Sequence, residues 1–320
     1  MVNIENSNDY EKPSDIYTYF IPMVLKEFEK ESINYPYLKN LEVNRSIIKG
    51  IIKTIPYNVT LVGICNQLIN KMEVKTTITT LNGKKIKKTV YVTRSADKKN
   101  DIILSRKDVY NKAKIIRGVI VDNCTNLNKL KDYYGNMTSL LITCGIPVTW
   151  QPKPNGVVIS QNYLKSEKVN YTYRIGIKRH TIILNKVKLP KIVDKSKSRK
   201  AIVPNIIHSL DSFHMISIVN KFHGKTIFTI HDCFVIHPND YTLLKNEFIN
   251  TFVSLYFDHD FLNTYHNTVL KKIEERYNII FLENKKCIKV NSKKIIIPVN
   301  PSLNNKEMSK NVYKSNYMIK

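Results

Sequence analysis

Val203 to His237 reads VPNIIHSLDSFHMISIVNKFHGKTIFTIHDCFVIH, and the fold turns on how this stretch is read. Its first part predicts a helix and Gly224 a stop. TIFTI and CFVI predict two short apolar strands flanking the polar pair His231-Asp232. A carboxylate in a tight turn between two runs that favour burial is a local conflict. Chains keep such a conflict mainly where the charge has a task, most often holding a metal. Asp also suits hairpin turns, and His is often a plain surface residue, so the pair reads either as a turn or as a metal site.

The rest of the composition bounds the class. A chain of 320 residues can bury a substantial core in one large or two medium domains. Hydrophobic content of 42% is ordinary for a soluble globular protein. No apolar run approaches the ~20 residues that span a bilayer, and no membrane partner is expected. The segment MVNIENSNDYEKPSD is polar and acidic, which predicts neither a secretory signal nor a matrix presequence. Lys and Arg number 51 against 26 Asp and Glu, a net charge of +25. Such an excess favours polyanionic partners, nucleic acid before anionic membrane. Lys, Asn, Ile and Tyr are abundant and Gly is scarce at 9, so an AT-rich gene would give the same charge whatever the function. The five cysteines (Cys65, Cys124, Cys144, Cys233, Cys287) are odd in number, and no two form a C-x-x-C pair. Neither a zinc knuckle nor a disulfide framework is expected, and a reducing compartment is the default.

Along the chain, Pro13-Ser14-Asp15 followed by IYTYFIPMVLKEFEKE predicts a helix kinked at Pro22. A second helix is predicted over Val43–Ile55, with Ile47, Ile48, Ile51, Ile52 and Ile55 as its buried stripe. Arg45, Lys49 and Lys53 fall at i, i+4 and i+8, a row of cations that ends near Pro56-Tyr57. Like charges at this spacing repel by a few tenths of a kcal/mol per pair unless an anion compensates. The row reads either as a solvated basic face or as a grip on a triphosphate. Another helix is predicted over 62–72. TTITTLNGKKIKKTVYVT then alternates around Asn82-Gly83, a hairpin signal whose polar faces predict an exposed insertion. Helical patterning resumes over 108–120 and 124–144. A second hairpin, PVTW and VVISQNY around QPKPNG, holds Trp150, which is expected to pack. YTYRIGI and TIILNKV read as strands, and DKSKSRKA as a solvated basic loop. Pro238-Asn239-Asp240 is expected to cap a helix to about Phe257, and another follows from Asp260 to Tyr277. Residues 276–320 are expected to form a partly disordered tail.

Three blocks, in order, carry a resemblance. Arg45-x-x-x-Lys49-x-x-x-Lys53-Thr54-x-x-Tyr57 resembles the signature R-x-x-x-K-x-x-x-M-T-x-x-Y-G. Pro204-Asn205-x-x-His208-Ser209-x-Asp211-x-x-His214 resembles P-N-x-x-H-S-x-D-x-x-H, and His231-Asp232-Cys233-Phe234 resembles H-D-S-F. Asp15-Ile16-Tyr17, and Trp150 with the PNG turn ahead of Gln161, are weaker echoes. The chain is thus similar to the C-terminal part of the single-subunit, bacteriophage-type DNA-directed RNA polymerases, a family of phage, mitochondrial and mitochondrial-plasmid enzymes. It looks most like the fungal plasmid enzymes.

The resemblance implies roles. Asp232 would bind catalytic Mg²⁺, since two metal ions clamping the attacking and leaving oxygens is the usual arrangement for nucleotidyl transfer. Arg45 and Lys49 would grip the incoming triphosphate. Tyr57 would stack by the new base pair and select ribose, His208 would contact the sugar side, and His231 would position the RNA end. The implied partners are a DNA template, the RNA product, NTPs and a further N-terminal polymerase portion. Lys53 stands where the signature has Met, Asn58 where it has Gly, and Cys233 where it has Ser. The family's other metal-binding aspartate, in D-G-S/T-x-x-G-x-Q-H, is expected to be absent, as are the promoter-binding region and the thumb. One carboxylate holds two octahedral Mg²⁺ ions poorly, so the chain is expected to be incomplete or inactive alone. The alternatives are a non-catalytic, basic nucleic-acid-binding remnant and, ranked behind it, a fragment of a related family A-like DNA polymerase.

The fold expected from pattern and resemblance together is α+β and mainly helical, a partial palm-and-fingers with small antiparallel hairpins. Residues 1–144 would be fingers-like, with the hairpin insertion near 76–94. Residues 145–275 would be palm-like and 276–320 the tail. Mitochondrial location, encoded by the organelle or a plasmid, is expected from the AT-rich composition; phage or bacterial cytoplasm is the alternative.

Overall fold

The structure is a computed structural model and describes residues 15–81, 84–97, 99–230, 233–278, 287–290, 293–303 and 308–314. It is mainly helical, with small antiparallel sheets of two and three strands. The chain divides into two units, residues 1–129 with 307–320 and residues 130–306.

In the first unit α1 (Ile16–Glu31) starts at Asp15, whose side chain accepts a hydrogen bond from the Thr18 amide and so satisfies one of the free amides of the first turn. It continues through Pro22 and buries Phe20, Val24 and Phe28 along one stripe. Asn44 caps α2 (Arg45–Thr54) in the same way, through the Ile47 amide. Ile48, Ile51 and Ile55 are buried as their spacing predicts, and Ile47 and Ile52 pack partly against the same core. Thr60 caps α3 (Leu61–Ile69).

The hairpin of β1 (Glu73–Leu81) and β2 (Lys84–Arg94) pairs Leu81 with Lys84, so Asn82 and Gly83 fall between paired strand ends. Those two residues lie outside the described ones. The expectation of an exposed insertion holds only for part of it. Val90, Tyr91 and Val92 in β2 are buried, and β3 (Asp101–Leu104) pairs with Tyr91 and Val92 along its other edge. Tyr91 and Leu104 join the unit's core, beside α4 (Arg106–Asn123), whose start is closed by a reciprocal Ser105–Asp108 capping box. The division between the units falls within α5 (Thr125–Thr143).

The second unit pairs β4 (Val148–Trp150) with β5 (Ile159–Gln161), and β6 (Ser166–Ile175) with β7 (Lys178–Val187). It then runs through α6 (Lys195–Lys221), β8 (Ile227–Ile230), β9 (Cys233–Ile236) and α7 (Tyr241–Val253). A π-helical turn, Ser254–Asp258, leads to α8 (Phe261–Tyr277). The core gathers α5, the β4–β5 hairpin, α6 and α8 around Met137, Leu141, Trp150, Ile202, Ile206 and Val269. In the region expected to be a partly disordered tail, β10 (Cys287–Val290) pairs with β11 (Lys293–Ile296), and α9 (Met308–Lys314) buries Val312. Residues 279–286, 291–292, 304–307 and 315–320 of that region lie outside the described ones.

Two further expectations are corrected. DKSKSRKA is helix rather than loop: Asp194 accepts from the Lys197 amide and starts α6 nine residues ahead of Val203. Charged residues with good helix propensity extend the helix, and Pro204 sits inside it. The resulting helix is long and apolar enough to cross a membrane by length and composition alone. Ile202, Val203, Ile206 and Ile218 bury one stripe of it, and 28% of that apolar window is buried. Nor does the Asp240 side chain cap α7; its carboxylate pairs with Lys225 instead.

Candidate functional site

The α2 helix sorts its residues by face. With Ile48 and Ile51 buried, Arg45 and Lys53 are exposed and Lys49 half-buried on the remaining surface. Arg45 Nε donates to Asp15 Oδ2 at 2.5 Å, and its guanidinium lies over the Tyr17 ring, 5.1 Å from the centroid. Lys49 Nζ approaches the same ring at 5.9 Å. One aromatic ring therefore serves two cations of the row. Burial pushes the Asp15 carboxyl up, but the bonds from Arg45 and Thr18 outweigh it and hold the group below its ordinary value. The Asp15–Arg45 pair joins residues thirty positions apart, and only the weak echo at Asp15-Ile16-Tyr17 hinted at it.

Thr54 fastens the end of α2. Its hydroxyl donates to the Gly50 and Ile51 carbonyls and accepts from Gln67 Nε2 of α3. Tyr57 follows, 38% exposed. Asn58, where the signature has Gly, has φ +58°, and its amide donates to the Ile55 carbonyl. This left-handed backbone explains the substitution: Gly adopts it freely, and Asn is the side chain that tolerates it best. Asn58→Val is expected to destabilise the first unit by about 1–2 kcal/mol and Asn58→Gly by a few tenths at most. Urea unfolding midpoints measure both; equal midpoints for Val and Asn would refute the assignment.

The P-N-x-x-H-S-x-D-x-x-H block divides by role along α6. Asn205 Nδ2 donates to Gln161 Oε1 at 2.8 Å and to the Tyr163 hydroxyl at 3.2 Å, tying α6 to β5. Ser209 Oγ accepts from Trp150 Nε1 at 2.8 Å and donates to the Ile206 carbonyl at 2.7 Å. His214 is buried against Phe248 and Phe252, with Nε2 3.1 Å from the Phe248 carbonyl; burial pushes its pKa down. Asn205, Ser209 and His214 are thus packing residues. His208 and Asp211 face outward, and Asp211 accepts a hydrogen bond from the Tyr256 hydroxyl.

Beyond α6, Phe228 of β8 pairs with Val235 of β9, and Ile230 with Cys233. His231 and Asp232 fall between those strand ends and lie outside the described residues. The two strands, whose apolar runs favour burial, are largely exposed. Phe234 packs toward Phe248 of α7, while Phe228, Ile230, Cys233 and Val235 are all exposed. Among the described residues, no three His, Cys, Asp or Glu side chains could hold a metal ion. Arg45, Lys49 and Tyr57 belong to the first unit, and His208 to the second.

Residues 1–318 match the family of DNA-dependent RNA polymerases. A probable DNA-directed RNA polymerase of Neurospora crassa is 30% identical over 286 residues, covering 86% of this chain and 31% of its own length. One from Gelasinospora sp. (strain G114) is 32% identical over 267 residues, covering 82% of this chain and 31% of its own length. The mitochondrial DNA-directed RNA polymerase 1 of Arabidopsis thaliana is 24% identical over 262 residues, covering 77% and 24%. The chain belongs to the single-subunit, phage-type family of DNA-dependent RNA polymerases. It spans less than a third of the length of these relatives.

Proposed function

We propose that these residues supply the nucleotide-gripping helix and one palm motif of a polymerase that copies a DNA template into RNA from NTPs. The observation that carries this reading is the row of Arg45 and Lys49 on the open face of a helix anchored by its isoleucines, in a chain of this family. Arg45 and Lys49 bind the triphosphate; Asp15 holds the guanidinium in place until the anion competes for it. Tyr57 stands beside the new base pair and selects ribose, His208 contacts the sugar, and His231 positions the RNA end. Asp232 is assigned as the Mg²⁺ ligand on its motif alone. The ion would stabilise charge on the attacking and leaving oxygens. The sequence carries one of the two palm aspartate motifs, so these 320 residues alone are expected not to incorporate nucleotides. A mitochondrial setting fits the relatives, one of which is named as mitochondrial.

The test compares NTP incorporation on a primed template by the 320 residues alone and by a polymerase that carries them together with the second aspartate motif. Robust synthesis by the short chain would overturn the incompleteness. In the longer polymerase Lys49→Ala is expected to lower incorporation by about a hundredfold, the loss typical of one transition-state charge contact. Its bulk affinity for nucleic acid should hardly change. A uniform loss of affinity with no separate loss of turnover would favour the second reading, a basic nucleic-acid-binding remnant, to which the +25 charge lends independent support.

A further inference from the structure

The second unit holds a cavity of about 270 Å³ between the loop after β4 and the outer side of α8. Lys153 and Lys272 enter it from these two elements, with Gln151, Thr264 and Thr268 among its polar lining. Lys272 Nζ donates to Thr149 Oγ1 at 2.6 Å and, more weakly, to the Thr149 carbonyl at 3.4 Å. Lys153 Nζ donates to Ser254 Oγ at 2.6 Å. Both ammonium groups are half-buried, and neither forms a salt bridge among the described residues. Glu275 acts on Lys272 only at a distance along α8, too far for an ion pair.

Burial among neutral oxygens disfavours the charged form of Lys272, with the Glu275 carboxylate opposing the shift. His259 lies next to this region: its ring bonds the Pro152 carbonyl and feels both the Lys153 and the Asp260 charges, and its Nε2 is closed off from solvent without a partner among the described residues. Two lysines from separate elements, three threonines and an amide line a cavity whose other walls, Trp150, Pro154, Val158 and Tyr265, are largely apolar, and this charge and hydroxyl set suits a multiply charged, oxygen-rich anion.

We infer that this cavity is a phosphate-binding site, occupied by the backbone phosphate of a nucleic-acid strand or by a free polyphosphate. Lys153 and Lys272 provide its charge, and the threonine hydroxyls and Gln151 bind the remaining oxygens. None of these residues is among those proposed for nucleotidyl transfer, so the site stands or falls without that reading.

Trp150, the single tryptophan, lines the cavity, so its emission reports on this place alone. The full chain is titrated with pyrophosphate and, separately, with a short single-stranded oligodeoxythymidylate. A saturable change with pyrophosphate supports a free polyphosphate as ligand; a change with the oligonucleotide alone supports a backbone phosphate. In either case Lys153→Gln/Lys272→Gln should weaken the response at least about tenfold, roughly the loss of one charged hydrogen bond. Lys168→Gln/Lys186→Gln, on the exposed β6–β7 hairpin, should leave it unchanged. Lys153→Gln alone, which loses only the Ser254 contact, keeps the comparison valid if the double variant unfolds. No saturable change with either probe, or a response that survives the lysine substitutions, overturns the site.

Discussion

Trp150→Ala is expected to destabilise the second unit by about 3–5 kcal/mol, the usual cost of emptying a large buried aromatic site. The indole is 3% exposed and sits where the short β4 strand meets α6. Its surroundings are held from several sides: Asn205 ties α6 to β5, and Lys272 ties α8 to Thr149. The walls therefore have little freedom to collapse into the void, which places the cost toward the upper part of that range. The indole N–H makes a separate contribution. Ser209 Oγ keeps its bond to the Ile206 carbonyl in the variant but loses the donor it now accepts from. Trp150→Phe preserves most of the ring volume and isolates this loss, at about 1–2 kcal/mol. Urea unfolding followed by circular dichroism measures both, since the fluorophore itself is removed. A cost below about 1 kcal/mol for Ala would mean that the indole is not part of the core.

Lys112→Met is expected to stabilise the first unit by about 2–3 kcal/mol at pH 7 and to abolish part of its pH dependence. Lys112 lies on α4 with 1% of its surface exposed. Burial pushes its pKa from the ordinary 10.5 down to about 8, with the Glu42 carboxylate opposing the shift. The direction of the linkage follows from proton counts. Between pH 8 and 10.5 the unfolded chain holds a proton that the folded chain has released, so stability rises with pH across that window. Below pH 8 both states are protonated and the full cost of burying the charge is felt, about 3 kcal/mol for a gap of this size. Met fills a similar volume without the charge. Unfolding midpoints at pH 7 and pH 10 should therefore differ clearly in the parent chain and much less in the variant. Equal midpoints for the two chains at pH 7 would show that Glu42 fully compensates the ammonium.

Such a lysine is invisible in the sequence, where a Lys on an amphipathic helix reads as solvated. What the sequence did make legible were features with a strong period or a strong turn signal. The isoleucines of α2 fall at helical spacing, and Leu81 pairs with Lys84 on either side of the Asn-Gly turn signal. The β3 strand was not legible because its four residues, DIIL, carry no alternation, and its pairing depends on β2 being available. The start of α6 was hidden by a charge run that resembles a loop and by Pro204, which looks like a first helical position. At the candidate site, spacing pointed to the row of Arg45 and Lys49 and the resemblance to Tyr57, whereas Asp15 and Tyr17 meet that row only through tertiary contact. The His-rich block presented Asn205, Ser209, His208 and His214 as one unit. Only packing separates the buried His214 from the outward-facing His208.

The β6–β7 hairpin has a consequence of its own. Ten residue pairs run from Ser166–Val187 to Ile175–Lys178, and nearly every side chain along them is exposed, including Tyr171, Ile175, Ile182 and Leu184. A two-stranded ribbon with so little burial draws almost nothing from a hydrophobic core. Replacing its side chains therefore costs the surrounding fold little, and the ribbon is free to drift in sequence as far as folding is concerned. The interior of the protein therefore places little constraint on its tyrosines, isoleucines and basic residues.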